Sequence, residues 1–287
     1  MTNENISIVI PAKNELAGLQ KILPEIRQLY PDYQVIVVDD GSTDATKKLC
    51  QDHGVTIISH PYSKGNGSSV KTGARVSDAE ILIFMDADGQ HKPEDIKNLL
   101  DKYKQGYDMV VGARSSSSQA SVGRLCANTF YNWFATAMVG QKVEDLTSGF
   151  RVVRADYFKK FLHLLPNGFS YPTTCTMAFF RSGFSVGYVP IEANTRLGKS
   201  HIKLIKDGVR FLLILFKIGT LYSPLKIFFP LSIISFTTGL FYYLYTYLTV
   251  GRFTNMSALL FTTAVTIFLM GLISEQITSL VYSRRND

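Results

Sequence analysis

Two apolar runs near the C-terminal end limit what this chain can become. Ile227 to Val250 is about 24 residues without a charged side chain and Met256 to Ile273 about 18 more, each near the length of helix that crosses a hydrocarbon core. A buried globular helix can be as apolar. Two such runs around the short Gly251-Arg252-Phe253-Thr254-Asn255 hinge instead describe a hairpin through a bilayer. Lys199, Lys203, Lys206, Arg210, Lys217 and Lys226 precede the pair, and Arg284 and Arg285 follow it. Lys and Arg are retained on the cytoplasmic side, so both ends of the hairpin are expected there. Ile202 to Leu221 mixes those cations with Leu, Ile and Phe, the composition of a helix lying in the membrane interface. The apolar run Ile6–Ile10 is too short and wrongly flanked for a secretory signal, which agrees with a cytosolic N-terminal domain. The expected organisation is a cytosolic domain over 1–200, an amphipathic juxtamembrane segment over 201–224, and two transmembrane helices within 225–283, at about 227–250 and 256–281.

The first 200 residues alternate short β-branched runs with amphipathic stretches, the pattern of an α/β domain whose parallel strands are joined by crossover helices. Ile6–Ile10, Gln34–Val38, Thr56–Ser59, Ile81–Met85 and Met109–Val111 read as strands. Leu16–Leu29, Asp44–His53, Ser68–Ser77 and Pro93–Gln105 read as helices, with Ser42, Thr43 and Pro93 where caps and first turns are favoured. Ligands of open α/β sheets sit beyond the carboxyl ends of the strands. Those ends carry Asn14-Glu15, Asp39-Asp40, Asp86-Ala87-Asp88 and Arg114, which points to one shared site.

Asp86-Ala87-Asp88 sets two carboxylates one residue apart directly after a wholly apolar strand, with Gln90 just beyond. Hard divalent ions such as Mg²⁺ are held by one or two carboxylates together with substrate phosphates and water. The bland alternative is a polar turn leading into the helix near Pro93. Asp39-Asp40 also ends a strand, and one of its carboxylates can accept from a base or ribose, or the segment can simply cap the next helix. The odd cysteine count (Cys50, Cys126, Cys175) with no CxxC pair encodes neither a disulfide framework nor a thiolate zinc site. The five His residues are scattered, which argues against catalytic zinc. Gly65-Asn66-Gly67 lacks the third glycine of a dinucleotide fingerprint, and Gly198-Lys199-Ser200 lacks the rest of a P-loop. The net charge of +7 collects beside the membrane segments, where anionic lipid rather than nucleic acid is the expected partner.

Seven blocks occur in order: Ile10-Pro11-Ala12-Lys13-Asn14-Glu15, Val38-Asp39-Asp40-Gly41-Ser42, Lys64-Gly65-Asn66-Gly67, Asp86-Ala87-Asp88-Gly89-Gln90-His91, Gly112-Ala113-Arg114, Asp145-Leu146-Thr147-Ser148-Gly149-Phe150-Arg151 and Arg196-Leu197-Gly198-Lys199-Ser200. Together they resemble family 2 of the glycosyltransferases, in its dolichol-phosphate mannose synthase-like, polyprenyl-phosphate branch. The resemblance implies a GT-A fold and an inverting, metal-dependent transfer of a sugar from a nucleotide-diphosphate sugar to a polyprenyl phosphate at the cytoplasmic membrane face. It implies that Pro11, Ala12, Glu15 and Asp40 hold the nucleoside, and that Asp86, Ala87, Asp88 and Gln90 serve the diphosphate and a Mg²⁺ or Mn²⁺ ion, with Asp88 and Gln90 as its ligands. Arg114, Arg196 and Lys199 would meet donor phosphate. Arg124 and Asn128 would receive the acceptor phosphate, with Asp86, Asp88 and Arg124 central to catalysis. Lys13 stands where the family commonly has an aromatic residue, and Asn128 where it often has Ser. A homo-oligomer is compatible with all of this. Two rivals are a processive polysaccharide synthase, whose Gln-x-x-Arg-Trp block is missing around Trp133, and a catalytically silent membrane-tethered sugar-nucleotide-binding module, which the intact Asp86, Asp88, Arg114 and Arg196 argue against.

Overall fold

The computed structural model describes residues 5–114, 122–168, 170–192, 216 and 219–283, and the side chains of 122–128 and 281–283 lie outside that description. The chain divides into two compact units, Met1–Ile202 and Lys203–Asp287. In the first, the elements run β1 (Ile6–Ala12), α1 (Leu16–Leu29), β2 (Gln34–Asp39), α2 (Thr46–Asp52), β3 (Thr56–Ser59), α3 (Asn66–Val76), β4 (Ile81–Phe84), α4 (Asp95–Tyr103), β5 (Met109–Arg114), α5 (Val122–Val139), β6 (Arg151–Arg154), α6 (Ala155–Lys160), α7 (Tyr171–Arg181) and β7 (Val186–Ile191).

The seven strands form one sheet in the order β3-β2-β1-β4-β6-β5-β7. β1 pairs in parallel with β2 and β4, placing Val9 beside Ile36 and Phe84. β6 alone is antiparallel, inserted between β4 and β5. The sheet is thus mostly parallel, as the alternating pattern predicts. A parallel sheet is covered on both faces and needs near-continuous apolar strands; every residue of β1 is buried. α1 buries Leu19, Ile22, Leu23 and Ile26, a stripe at helical spacing. Each such side chain contributes about 1.5–3 kcal/mol on leaving water.

The chain turns to opposite sides of β1, with β2 and β3 on one flank and β4 on the other. That is a topological switch point, where loops diverge and leave a crevice at the carboxyl ends of the strands. The loops after β1 and β2 are fastened together there. Asn14, at φ 53, takes the left-handed conformation that Asn tolerates better than most residues. Its N–H donates to Ser42 Oγ at 2.9 Å, and its Oδ1 accepts from Thr43 N at 2.8 Å and Thr43 Oγ1 at 3.3 Å. Ser42 and Thr43 therefore do not cap α2 as expected. That helix starts at Thr46, with Ala45 at its N-cap and no side-chain cap bond.

The second unit holds α8 (Leu225–Val250) and α9 (Asn255–Ser283), joined through Gly251 at φ 67, where glycine ends a helix in the left-handed conformation without a Cβ penalty. The two helices pack closely. A Cβ on Gly239 would stand 3.0 Å from Leu260 Cβ, and one on Gly271 would stand 2.7 Å from Phe228 Cβ. Ser235 Oγ donates to Leu260 O at 3.1 Å, and Glu275 Oε2 accepts from Leu225 N at 3.3 Å. The outward faces are apolar: Leu248 is 81% exposed, Phe241 72%, Leu280 62% and Ile234 60%. A surface of that kind is unfavourable in water and matches acyl chains. Leu225–Val250 and Asn255–Leu280 are each long and apolar enough to cross a membrane. The juxtamembrane helix expected over 201–224 lies largely outside the described residues.

Candidate active site

The crevice at the switch point is a cleft of about 460 Å³. Pro11, Ala12 and Glu15 reach it from the end of β1, Asp40 from β2, and Asp86, Ala87, Asp88 and Gln90 from β4, so eight of the residues named from sequence meet in one place. Lys13, Ser63, Gly65, Asn66 and Ser69 complete its lining. Arg196 and Lys199 lie outside the described residues, and Arg124 and Asn128 sit on α5 with side chains outside that description.

At the nucleoside-facing end expected from sequence, Asp40 is only 3% exposed. Its Oδ1 accepts from His60 Nδ1 and Lys64 N, each at 2.8 Å, and its Oδ2 from Ser63 Oγ at 2.7 Å and Gly65 N at 2.8 Å. Burial alone raises a carboxyl pKa, but these four bonds outweigh it and hold Asp40 down at about 2. Gly65 is required twice. Its φ of 100 is left-handed territory, and a Cβ there would overlap Asn167 O. The loop around Asn167 is fixed in turn by Lys71, whose Nζ donates to Leu165 O at 2.9 Å and Asn167 Oδ1 at 2.5 Å.

At the β4 end, Gln90 N donates to Asp88 Oδ1 at 3.1 Å, tightening the turn. His91 is buried and stacks on Phe150 with centroids 4.9 Å apart. Burial lowers its pKa, opposed in part by the Asp86 and Asp88 charges, so the neutral ring accepts a long 3.4 Å bond from Asp86 N at Nδ1. A Cβ on Gly149 would come within 2.8 Å of Asp86 Oδ2, which shows how closely the 145–149 turn backs that carboxylate. Asp86, Asp88 and Gln90 offer oxygen donors alone, and among the described residues no group of three or more His, Cys, Asp or Glu is arranged to hold a metal. That fits a hard divalent ion held by one or two carboxylates with phosphate oxygens completing its shell, and does not fit a self-sufficient protein cage.

Arg114 does not line the cleft. It is gripped from behind by Asp145, with Nε to Oδ2 at 2.8 Å and Nη2 to Oδ1 at 3.1 Å, and Nη2 also reaches Thr147 Oγ1 at 2.6 Å. Burial would lower the Arg114 pKa, but Asp145, Asp86 and Asp88 raise it. Burial likewise opposes Asp145 ionisation, and Arg114 overrides it so that Asp145 is lowered. The guanidinium is thus permanently charged and pre-oriented near Asp86 and Asp88, an arrangement suited to charge developing on a phosphate. Reading the sequence alone assigns no role to Asp145, His60 or Ser63. Their signals, a polar residue in the Asp145–Arg151 block and a polar cluster after β3, identify no partner until the fold brings Asp145 to Arg114 and His60 to Asp40.

A sequence profile of glycosyl transferase family 2 matches residues 7–162, and a profile described as the GtrB C-terminal hairpin matches 223–280. Similar proteins include the polyprenol monophosphomannose synthase of Mycolicibacterium smegmatis, 29% identical over 66% of this chain and 77% of that protein. The undecaprenyl-phosphate mannosyltransferase of Micrococcus luteus is 29% identical over 67% of this chain and 85% of its own. The putative glycosyltransferase CsbB of Bacillus subtilis is 26% identical over 98% of this chain and 88% of its own. Among solved structures, glucosyl-3-phosphoglycerate synthase from Mycobacterium tuberculosis, in complex with Mn²⁺, uridine diphosphate and phosphoglyceric acid, superposes with a TM-score of 0.61 at 20% identity, covering 76% of this chain and 78% of that one. At that identity the likeness is one of fold.

Proposed function

The chain belongs to glycosyl transferase family 2, and from that premise we propose that it moves one sugar from a nucleoside-diphosphate sugar to a polyprenyl phosphate at the cytoplasmic face of a membrane. It is a glycosyltransferase. The observation that carries the finer reading is the meeting of the Asp86–Gln90 segment with the β1, β2 and β3 loops in one cleft, in a chain that also bears two helices able to cross a bilayer. Names among its relatives, polyprenol monophosphomannose synthase and undecaprenyl-phosphate mannosyltransferase, support the acceptor class.

In the transfer, the bond from the anomeric carbon to the diphosphate breaks, an acceptor phosphate oxygen bonds to that carbon from the opposite face, and the nucleoside diphosphate leaves with the electron pair. The acceptor oxygen is already anionic near neutral pH, so orientation matters more than deprotonation and no strong general base is needed. Pro11, Ala12, Glu15 and Asp40 hold the nucleoside, with the Ser63–Asn66 wall beside them. Arg114, kept in place by Asp145, stabilises charge on the leaving diphosphate. Asp88 and Gln90, beside Asp86, would hold Mg²⁺ or Mn²⁺, which when bound supplies charge neutralisation to the leaving group. Arg196 and Lys199 serve donor phosphate, and Arg124 with Asn128 orients the acceptor phosphate, the guanidinium fork matching its oxygens. The hairpin confines the enzyme to the surface where a long-chain lipid phosphate resides, and its flanking basic residues place both ends in the cytoplasm.

The test is a screen of radiolabelled nucleotide sugars with Mn²⁺ or Mg²⁺ and full-length protein in vesicles containing undecaprenyl phosphate. Label entering the organic phase from one donor, and only with lipid phosphate present, is the expected result. Label that stays in the aqueous phase with every donor would remove the acceptor assignment.

A further inference from the structure

The Ser63–Asn66 wall of the cleft is braced by a buried polar chain to which the transfer itself gives no task. His60, 7% exposed, touches Asp40 Oδ1 through Nδ1 at 2.8 Å and Thr72 Oγ1 on α3 through Nε2 at 2.9 Å. Asp40 is ionised and can only accept, so a His60 proton sits on Nδ1 and points at the carboxylate, while Nε2 is paired with the Thr72 hydroxyl. A carboxylate has about four lone-pair positions. In Asp40 they meet His60, Ser63 and the N–H groups of Lys64 and Gly65, so this side chain organises the loop from its own place on the cleft wall. Three residues of that loop and helix start, Ser63, Gly65 and Asn66, line the cleft.

Resting on the proposed donor site, we infer that His60 is a positioning residue for the donor nucleoside: it locks the Asp40 carboxylate in one orientation, and Asp40 then holds the Ser63–Gly65 loop in its binding shape before the nucleotide arrives. Without the His60 donor, Oδ1 loses a buried side-chain partner, and the carboxylate either recruits water or turns. The left-handed Gly65 and its neighbours then lose a fixed anchor, and the cost of ordering them falls on the binding step. The chemical step lies at Asp86 and Asp88, after β4, and at Arg114, at the end of β5, whereas His60 follows β3, so the loss falls on donor affinity and not on turnover at saturation.

Three substitutions separate this from a general stability role. In His60→Asn the amide nitrogen stands close to where Nδ1 was, keeping the donor to Asp40 and losing Thr72. In His60→Gln the amide stands nearer to Nε2, keeping Thr72 and losing Asp40. His60→Leu keeps neither. Isothermal titration of UDP and GDP with Mn²⁺ into full-length protein in nanodiscs reads the outcome. His60→Leu and His60→Gln should weaken whichever nucleotide the wild type binds by roughly ten-fold, the scale of one hydrogen bond to a charged group. His60→Asn should restore affinity to within about three-fold, and turnover at saturating donor should stay near wild type in all three. Full affinity in His60→Gln or His60→Leu overturns the inference, as does a fall in turnover with affinity unchanged, or affinity that tracks melting temperature rather than the retained Asp40 bond. A wild type that binds neither nucleotide overturns the donor reading itself, a result distinguishable from all of these.

Discussion

Replacing Asp145 by Asn keeps the shape of the carboxylate and removes its charge, and the surrounding hydrogen bonds determine the effect. One amide oxygen can still accept from Thr147 N and Ser148 N, which now bond Oδ1 at 3.0 and 3.1 Å, so the turn survives. The amide nitrogen then occupies the place of Oδ2 and faces Arg114 N and Nε, now at 3.3 and 2.8 Å, putting donor against donor. Breaking a fully buried ion pair costs about 3–5 kcal/mol. The Arg114 side chain is 29% exposed while that of Asp145 is 6% exposed, so solvent recovers part of that loss. A figure of about 1.5–3 kcal/mol, the worth of a hydrogen bond to a charged group, is the better expectation, and it corresponds to about a ten- to hundred-fold fall in kcat/KM for the donor. The assay is initial-rate transfer with varied donor on wild type, Asp145→Asn, Arg114→Gln and the double variant. Asp145 acts through Arg114, so the double variant should be little worse than Arg114→Gln, with a coupling energy of about 1.5–3 kcal/mol. Effects that add to within about 0.5 kcal/mol would show that the two residues act independently and refute the reasoning.

Gly149→Ala should abolish most activity and cost under about 1 kcal/mol of stability, because the new Cβ, 2.8 Å from Asp86 Oδ2, displaces a side chain that can rotate away; thermal melts beside rate assays check both halves. Asp40, lowered to about 2 from 3.8 in the folded protein, contributes stability that is present above pH 3.8 and lost as pH falls through about 2. Wild type should therefore lose about 2 kcal/mol more than Asp40→Asn between pH 5 and pH 2, read from denaturant melts across that range. Arg124→Ala should slow transfer to lipid phosphate by about ten- to hundred-fold while donor hydrolysis by water persists, and an equal loss of nucleotide affinity would move this arginine to the donor site.

The sequence makes the cleft more legible than its supports. Strand ends dictate the cleft: once β1, β2 and β4 are adjacent and parallel, Pro11 to Glu15, Asp40 and Asp86 to Gln90 must converge, and apolar runs before each polar loop mark those strands. α1 spans Leu16–Leu29 as its pattern predicts. β6 is another matter. Four residues, Arg151–Arg154, are too short to carry a period, and nothing local specifies that they run antiparallel between β4 and β5. Capping failed where Ser42 and Thr43 found a stronger partner in Asn14, whose position across the sheet no local rule includes. His60 and Asp145 are isolated polar residues in the chain and acquire meaning only through Asp40 and Arg114, 20 and 31 positions away.

In the proposed transfer the nucleoside leaves with both phosphates and the lipid keeps its own. Mass spectrometry of the lipid product, with chromatography of the released nucleotide, tests that directly in nanodiscs carrying undecaprenyl phosphate, full-length enzyme, Mn²⁺ and the active donor. The expected products are a lipid heavier by one sugar residue and bearing a single phosphate, an equal amount of nucleoside diphosphate, and neither of these with Asp88→Asn. A lipid with two phosphates and a nucleoside monophosphate, or a normal yield from Asp88→Asn, would contradict it.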